Sequence, residues 1–199
     1  GNDVFIIASA SDHAAGETIS GGNDTDVIRF TSTTGQTLAL TANVTVEEVR
    51  ITDAAGLATG TTAESLDATS ANGSIALYGN DGANTLTGNT SSNVISAGAG
   101  ADTVVGGQGD DNLSGGAGSD VFVYSATTDL DTTNGATKET VDGSAGDTDV
   151  IRLDAAGTYD FATNASVSNI EKVSLNSNGA YTVTLGDDFN GDNANVEIV

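Results

Sequence analysis

The sequence predicts an all-β protein, a parallel β-roll or β-helix solenoid with additional β-strands between blocks of a short repeat. Three observations carry this expectation. A nine-residue unit recurs over residues 79–123, each time with a large apolar residue at its eighth position. The segments 37–52 and 159–175 are rich in β-branched Val, Ile and Thr, the residues that favour strands. Glycine is abundant at 26 residues and proline is absent, a mixture that suits short strands joined by many tight turns.

Written in nines, residues 79–123 read GNDGANTLT, GNTSSNVIS, AGAGADTVV, GGQGDDNLS and GGAGSDVFV. The shared pattern is G-G-x-G-x-D-x-U-x, with U apolar. The first six residues form a turn, and x-U-x forms a strand. Leu86, Ile95, Val104, Leu113 and Phe122 then point inward and stack into a narrow core. Two units make one coil, so equivalent turns recur every 18 residues. Asp102 and Asp120 (120 − 102 = 18) stack on one edge, and Asp111 sits on the opposite edge, level with Asn93. A flexible Gly/Asp linker has no reason to place a large apolar residue at every ninth position.

Charge points to the ligand. Twenty-eight acidic residues face five basic ones, Arg29, Arg50, Lys138, Arg152 and Lys172, for a net charge of −23. Such a chain repels nucleic acid and anionic membranes, and its clustered carboxylates call for cations. Calcium takes six to eight hard oxygen ligands, more than one turn supplies. Two stacked turns can supply them from main-chain carbonyls and Asp carboxylates. With no Cys, disulfides and thiolate metal sites are excluded. No apolar run approaches the ~20 residues of a membrane span. Without an initial Met or a visible signal peptide, the chain is expected to be a segment of a longer protein.

A second, longer repeat runs through the chain. GNDVFII (1–7) matches GSDVFVY (118–124) at an offset of 117 (118 − 1). GETISGGNDTDVIRF (16–30) matches TKETVDGSAGDTDVIRL (137–153), aligning Asp26 with Asp149 at an offset of 123 (149 − 26). VEEVRI (46–51) matches IEKVSL (170–175) at an offset of 124 (170 − 46). Residues 1–117 therefore read as a first module, with a calcium turn at 17–30, strands at 31–52, a looser stretch at 53–72 and a roll at 73–123 that runs on into the next. Residues 118–199 read as an incomplete second module, with a variable loop at 125–138, a turn and strand at 139–153, and a return beginning at 179–199. Gly1–Phe5 are themselves the tail of a nine-residue unit with Asp3 at its acidic position, and 21–29 form another with Asp24 in place of the fourth glycine. No amphipathic helix is expected; TTAESLDAT (61–69) is the best candidate for a single helical turn.

These nonapeptides resemble the RTX, or hemolysin-type, calcium-binding superfamily. The wider pattern is similar to the repeat of RTX-type surface-layer proteins and large RTX adhesins of Gram-negative bacteria: a D-x-F end, then T-I-S-G-G-x-D-T-D-V-I, then strands closing on V/I-E-x-V-x-I/L. The resemblance implies type I secretion without a cleaved N-terminal signal, folding outside the cell, several bound Ca2+ ions, and neighbouring copies of the same module or protein as partners, with no nucleic acid and no membrane insertion. It also implies ligands. Carbonyls near Gly98, Gly100, Gly107, Gly109, Gly116 and Gly118 would join the carboxylates of Asp102, Asp111 and Asp120, with Gly21, Gly22 and Asp26 serving in the first module and Asp149 in the second. The chain departs from the pattern at Asn84, Ser91, Asn93 and Ala145, where turns are expected to be weak or empty and where Asp24, Asp81 and Asp147 could compensate.

No enzyme is expected. The single histidine, His13, lies in a variable loop, where a solvated side chain is the ordinary outcome. A thiol or zinc centre lacks its ligands, and no G-x-S-x-G stands at a strand–helix elbow. The expected function is a structural calcium-binding segment of a secreted cell-surface protein. A calcium-binding accessory module of a type I-secreted enzyme, or a segment with its own glycan or peptide site, are the alternatives.

Overall fold

The computed structural model describes residues 1–14, 16–130, 138–144, 148–186 and 197–199. Its strands are short, because each turn returns the chain after only two to six residues. They begin with β1 (Val4–Ile7), β2 (Ile19–Ser20), β3 (Val27–Phe30), β4 (Thr37–Ala39), β5 (Val44–Thr45), β6 (Glu48–Ile51) and β7 (Ser65–Asp67). The repeat region adds β8 (Ala76–Tyr78), β9 (Thr85–Thr87), β10 (Val94–Ala99), β11 (Thr103–Val105), β12 (Asn112–Ala117) and β13 (Val121–Tyr124). Then follow β14 (Glu139–Asp142), β15 (Val150–Leu153), β16 (Gly157–Asp160), β17 (Ala165–Ser168), β18 (Lys172–Leu175), β19 (Tyr181–Thr184) and β20 (Glu197–Ile198).

Two parallel eight-stranded sheets face each other. The first has the order β1-β3-β6-β8-β10-β12-β14-β17, the second β20-β18-β15-β13-β11-β9-β7-β4. From β6 to β15 the chain alternates between them strand by strand, which is a two-sided roll. Near either end a third face opens, where β2 pairs with β5 and β16 with β19. The nine-residue period fixes the register: Ile95 lies beside Leu113, and Val104 lies between Leu86 and Phe122.

A parallel ladder at constant register stacks like side chains on one another. One inward column therefore runs Val49, Leu77, Ile95, Leu113, Val141, Val167, and the facing one Leu38, Leu66, Leu86, Val104, Phe122, Ile151, Val173. All are buried. In the roll, one such residue per strand is nearly all the core there is. The three-sided coils hold more: Phe30, Leu40 and Val44 at one end, Tyr124, Tyr159 and Phe161 at the other. There the Tyr124 and Phe161 rings meet edge to face with centroids 5.3 Å apart.

Three local expectations are corrected. The segment 61–69 is not helical; β7 runs through it, because Leu66 takes its place in the column between Leu38 and Leu86. The helical turn lies instead at Phe161–Asn164, inside a segment expected to be strands, where Asp160 caps it by accepting from the Thr163 N–H at 3.2 Å and Phe161 is buried. His13 is not solvated but only 7% exposed. It follows the 3-10 turn Ala10–Asp12 as buried Leu130 follows the 3-10 turn Thr127–Asp129, an offset of 117 (130 − 13) that matches the long repeat.

That repeat is visible in the strand order. β1, β3 and β6 pair in the register Val4–Val27–Glu48, and β13, β15 and β18 in the register Val121–Val150–Lys172. The first set lies in one sheet and the second in the other.

Candidate metal centre

The two edges of the roll are built from the Gly-rich turns. A strand leaving its sheet must reverse within six residues, which is why glycine recurs. Gly98, Gly100, Gly107, Gly109, Gly116 and Gly118 all have φ between 101° and 128°, a region costly for other residues. The turns also stack tightly. A Cβ on Gly98 would collide with the Asn80 carbonyl oxygen, on Gly107 with that of Asn89, on Gly116 with that of Gly98, and on Gly118 with that of Gly100. At the first position of a unit, Gly106 and Gly115 leave room for the carboxylates of Asp111 and Asp120 to fold back beneath the chain. Gly21 and Gly143 do the same for Asp26 and Asp149.

The folded-back acids form a ladder along each edge. On one edge the Asn84 N–H donates to Asp102 Oδ1 at 2.6 Å, Asp102 N–H to Asp120 Oδ1 at 2.8 Å, Asp120 N–H to Asp149 Oδ1 at 2.8 Å, and Asp149 N–H to Glu171 Oε2 at 2.7 Å. On the other edge Asn93 N–H donates to Asp111 Oδ1 at 2.7 Å. Further along the same edge Asp3 N–H donates to Asp26 Oδ1 at 2.7 Å, and Asp26 N–H to Glu47 Oε2 at 2.8 Å. Each rung thus spends one carboxylate oxygen on an amide. The second oxygens of Asp26, Asp102 and Asp111 are buried without a hydrogen-bond partner. An uncompensated buried carboxylate is costly. Burial pushes Asp102 up to about 7 despite the Asn84 N–H, and the charge of Asp120 adds to the rise. Burial likewise pushes Asp111 up to about 7 against the Asn93 N–H, with Asp110 and Asp129 adding.

The remaining candidates add no carboxylate to the ladder. Asp24 is exposed with φ 80°, in the turn that Gly22 opens with φ 94°. Asp3 is exposed and contributes its amide. Asp81 is exposed, its N–H directed to the Ala58 and Gly60 carbonyls. Asp147 lies outside the described residues.

The two turns that carry Asn instead of Asp are built differently. Asn80, Gly82, Asn89 and Ser91 are not left-handed. Asn84 Nδ2 donates to Asn80 Oδ1 at 3.0 Å and to the Glu64 carbonyl at 2.8 Å, while Asn80 Nδ2 reaches the Thr62 carbonyl at 3.1 Å. Asn93 Nδ2 donates to Asn89 Oδ1 at 3.3 Å, and Asn89 Nδ2 to the carbonyls of Ala71 and Gly73 at 3.1 and 2.9 Å. In these turns side-chain amides bridge one coil's carbonyls to the next. A neutral donor thus does there what a cation would do between Asp-bearing turns.

Among the described residues no three His, Cys, Asp or Glu side chains converge on one point. A cation here must therefore draw on one or two carboxylates and on main-chain carbonyls. That all-oxygen donor set suits a hard ion such as calcium and not a soft one. The orphaned oxygens of Asp102 and Asp111 are where positive charge is missing.

The family model for the RTX calcium-binding nonapeptide repeat, in four copies, matches residues 78–113 and 98–129. Residues 78–129 are RTX calcium-binding repeats. The RTX array binds calcium, with several ions to an array. No curated protein matches the chain.

Beyond the RTX match, the ladder contains acids that the nine-residue pattern does not mark. Glu47 and Glu171 stand behind Asp26 and Asp149 in the same way. The signal for both was present in the sequence, since VEEVRI and IEKVSL align them. Glu64 accepts from the N–H groups of Gly35 and Gln36 at 2.9 and 2.7 Å, and Glu139 is the rung after Asp111. Glu64 has no repeat partner that would have exposed it, and the repeat partner of Glu139, Glu17, belongs to no nine-residue unit.

Proposed function

We propose that this chain is a non-catalytic, structural calcium-binding segment of a secreted cell-surface protein of the surface-layer or adhesin kind, which folds and stiffens when calcium binds. The observation that carries the reading is the recurrence of one strand order, β1-β3-β6 before a calcium-binding RTX array and β13-β15-β18 from its last strand onward. A solenoid that repeats in this way extends along one axis, and its coils bury their faces only against neighbours. Calcium between coils locks that axis. The ions sit between stacked turns, held by Asp102, Asp120 and Asp149 on one edge and Asp26 and Asp111 on the other, with carbonyls of the Gly-rich turns completing each shell. The buried His13 and the commitment of the acids to the ladder support a structural role over a catalytic one.

The experiment is fractionation of the source cells with an antibody to this segment. Surface labelling of intact cells that is released by a calcium chelator supports the reading. If the segment is found only in the medium, on a polypeptide that carries hydrolytic activity, it is an accessory module of a secreted enzyme and the reading fails.

A further inference from the structure

The roll edge that carries Asp111 runs on into a connection without any repeat signature. After β13 the chain passes through the 3-10 turn Thr127–Asp129 and enters β14 at Glu139. Asn112 pairs with Thr140, and the Thr140 N–H donates to the Asp111 carbonyl at 2.8 Å, so Glu139 is the rung that follows Asp111. Gln108 Nε2 reaches Thr128 Oγ1 at 3.3 Å, which stacks the 3-10 turn on the turn 106–111. Where another Gly-rich turn would cover Gly107–Asp111, this chain places Asp129 and Glu139.

Glu139 is 2% exposed. Its Oε1 accepts from the Tyr124 hydroxyl at 2.6 Å, and its Oε2 has no hydrogen-bond partner, like Oδ2 of Asp111. Burial pushes Glu139 well above the usual carboxylate range against the Tyr124 hydrogen bond, and the charges that bear on it, Asp111, Asp129 and Asp110, are all negative. The strand pattern does not demand this burial. In the matching segment of the first copy the equivalent acid is Glu17, whose side chain is 54% exposed and lies 3.7 Å from His13 Nδ1, and Ile7 stands where Tyr124 does.

We propose that Asp111 and Glu139 together hold a calcium ion at the start of β14, outside the nonapeptide pattern, with main-chain carbonyls completing its shell. Tyr124 is a positioning residue: its hydroxyl holds one oxygen of Glu139 and leaves the other for the ion. A divalent cation between the two rungs supplies the positive charge that both buried carboxylates lack. The proposal rests on the reading of Asp111 as a calcium ligand.

The test uses the full chain. Terbium binds through the same oxygen ligands as calcium and luminesces when a nearby tyrosine is excited; the chain has four Tyr and no Trp. Calcium stoichiometry by equilibrium dialysis and terbium emission are compared across variants. Glu139→Gln is expected to bind one ion fewer and to lose most of the sensitised emission. Tyr124→Phe, which keeps both carboxylates, is expected to lose the same emission. Asp12→Ala, which loses only the cap of a 3-10 turn, is expected to keep both the ion count and the emission. A full ion count in Glu139→Gln, or undiminished emission in Tyr124→Phe, overturns the proposal. If Glu139→Gln shows no β spectrum in saturating calcium, Glu139→Asp decides, since the shortened acid should weaken one ion at least tenfold and unchanged binding overturns the proposal. Asp111→Asn with a full ion count would instead remove the reading on which the proposal stands.

Discussion

The backbone N–H of Asp102 donates to Oδ1 of Asp120, 2.8 Å away and one coil further along the roll. Each acid in the ladder closes its neighbour's backbone with one oxygen, and in the proposed reading a cation draws on the same carboxylates. Coupling of this kind ties ion binding to coil stacking.

Removing one rung should show it. Asp120→Ala is expected to raise the calcium midpoint for folding about tenfold, equivalent to ~1.4 kcal/mol. Asp12→Ala should leave it unchanged, because Asp12 only caps a 3-10 turn by accepting from the Ser9 N–H. Calcium titrations followed by circular dichroism measure both, and equal effects would contradict the ladder.

Chelation should unfold the roll. Its core is one apolar side chain per strand, too little to offset the entropy of ordering the chain, whereas an ion that binds only the folded state stabilises it by mass action. The β spectrum is expected to disappear in chelator and return in millimolar calcium. A spectrum indifferent to chelator would make the ions incidental.

Acid should partly replace calcium. Without the ion, Asp102 and Asp111 titrate near 7 in the fold, against an ordinary value of 3.8. The fold then holds more protons than the unfolded chain between those values, so their contribution is fully present below about 4 and is lost as pH rises through about 7. Chelated chain is expected to regain β structure on moving from pH 8 to pH 5. Calcium binding should weaken over the same interval, since the ion must displace those protons. Potentiometric release of protons on adding calcium at pH 6, and its absence at pH 9, is the direct measurement.

The asparagine turns should refuse the ion. Asn84→Asp removes the two Nδ2 hydrogen bonds to Asn80 Oδ1 and the Glu64 carbonyl and brings a charge beside Asp102. It is expected to lower the melting temperature even in saturating calcium, at a cost of about 1–3 kcal/mol for buried groups left unpaired. A higher melting temperature in calcium would mean that the turn accepts a cation.

The parts of this molecule that were legible in sequence are those where one residue answers to one period. Leu86, Ile95, Val104, Leu113 and Phe122 declared the core because a coil of fixed length returns each of them to the same column. The same 18-residue return placed Asp102 over Asp120 and Asp111 beside Asn93. Legibility failed where tertiary contacts decide. Leu66 belongs to a strand because Leu38 and Leu86 flank it, while its own segment, TTAESLDAT, favours a helix locally. Glu139 sits deep in the fold because Tyr124 comes from 15 residues earlier to meet it. His13 is covered because it occupies the place that Leu130 fills in the later copy. The third faces made by β2 with β5 and β16 with β19 went unread, since strands of two to four residues are too short to set a period apart from their neighbours.

The long repeat places β1, β3 and β6 in one sheet and their counterparts β13, β15 and β18 in the other. The strands that answer to β2 and β5 of the third face are β14 and β17, which lie in the first sheet. Like surfaces of the two matching segments are therefore turned about the long axis relative to each other, so that a pattern written twice in the sequence is displayed around the solenoid instead of as a single stripe along it.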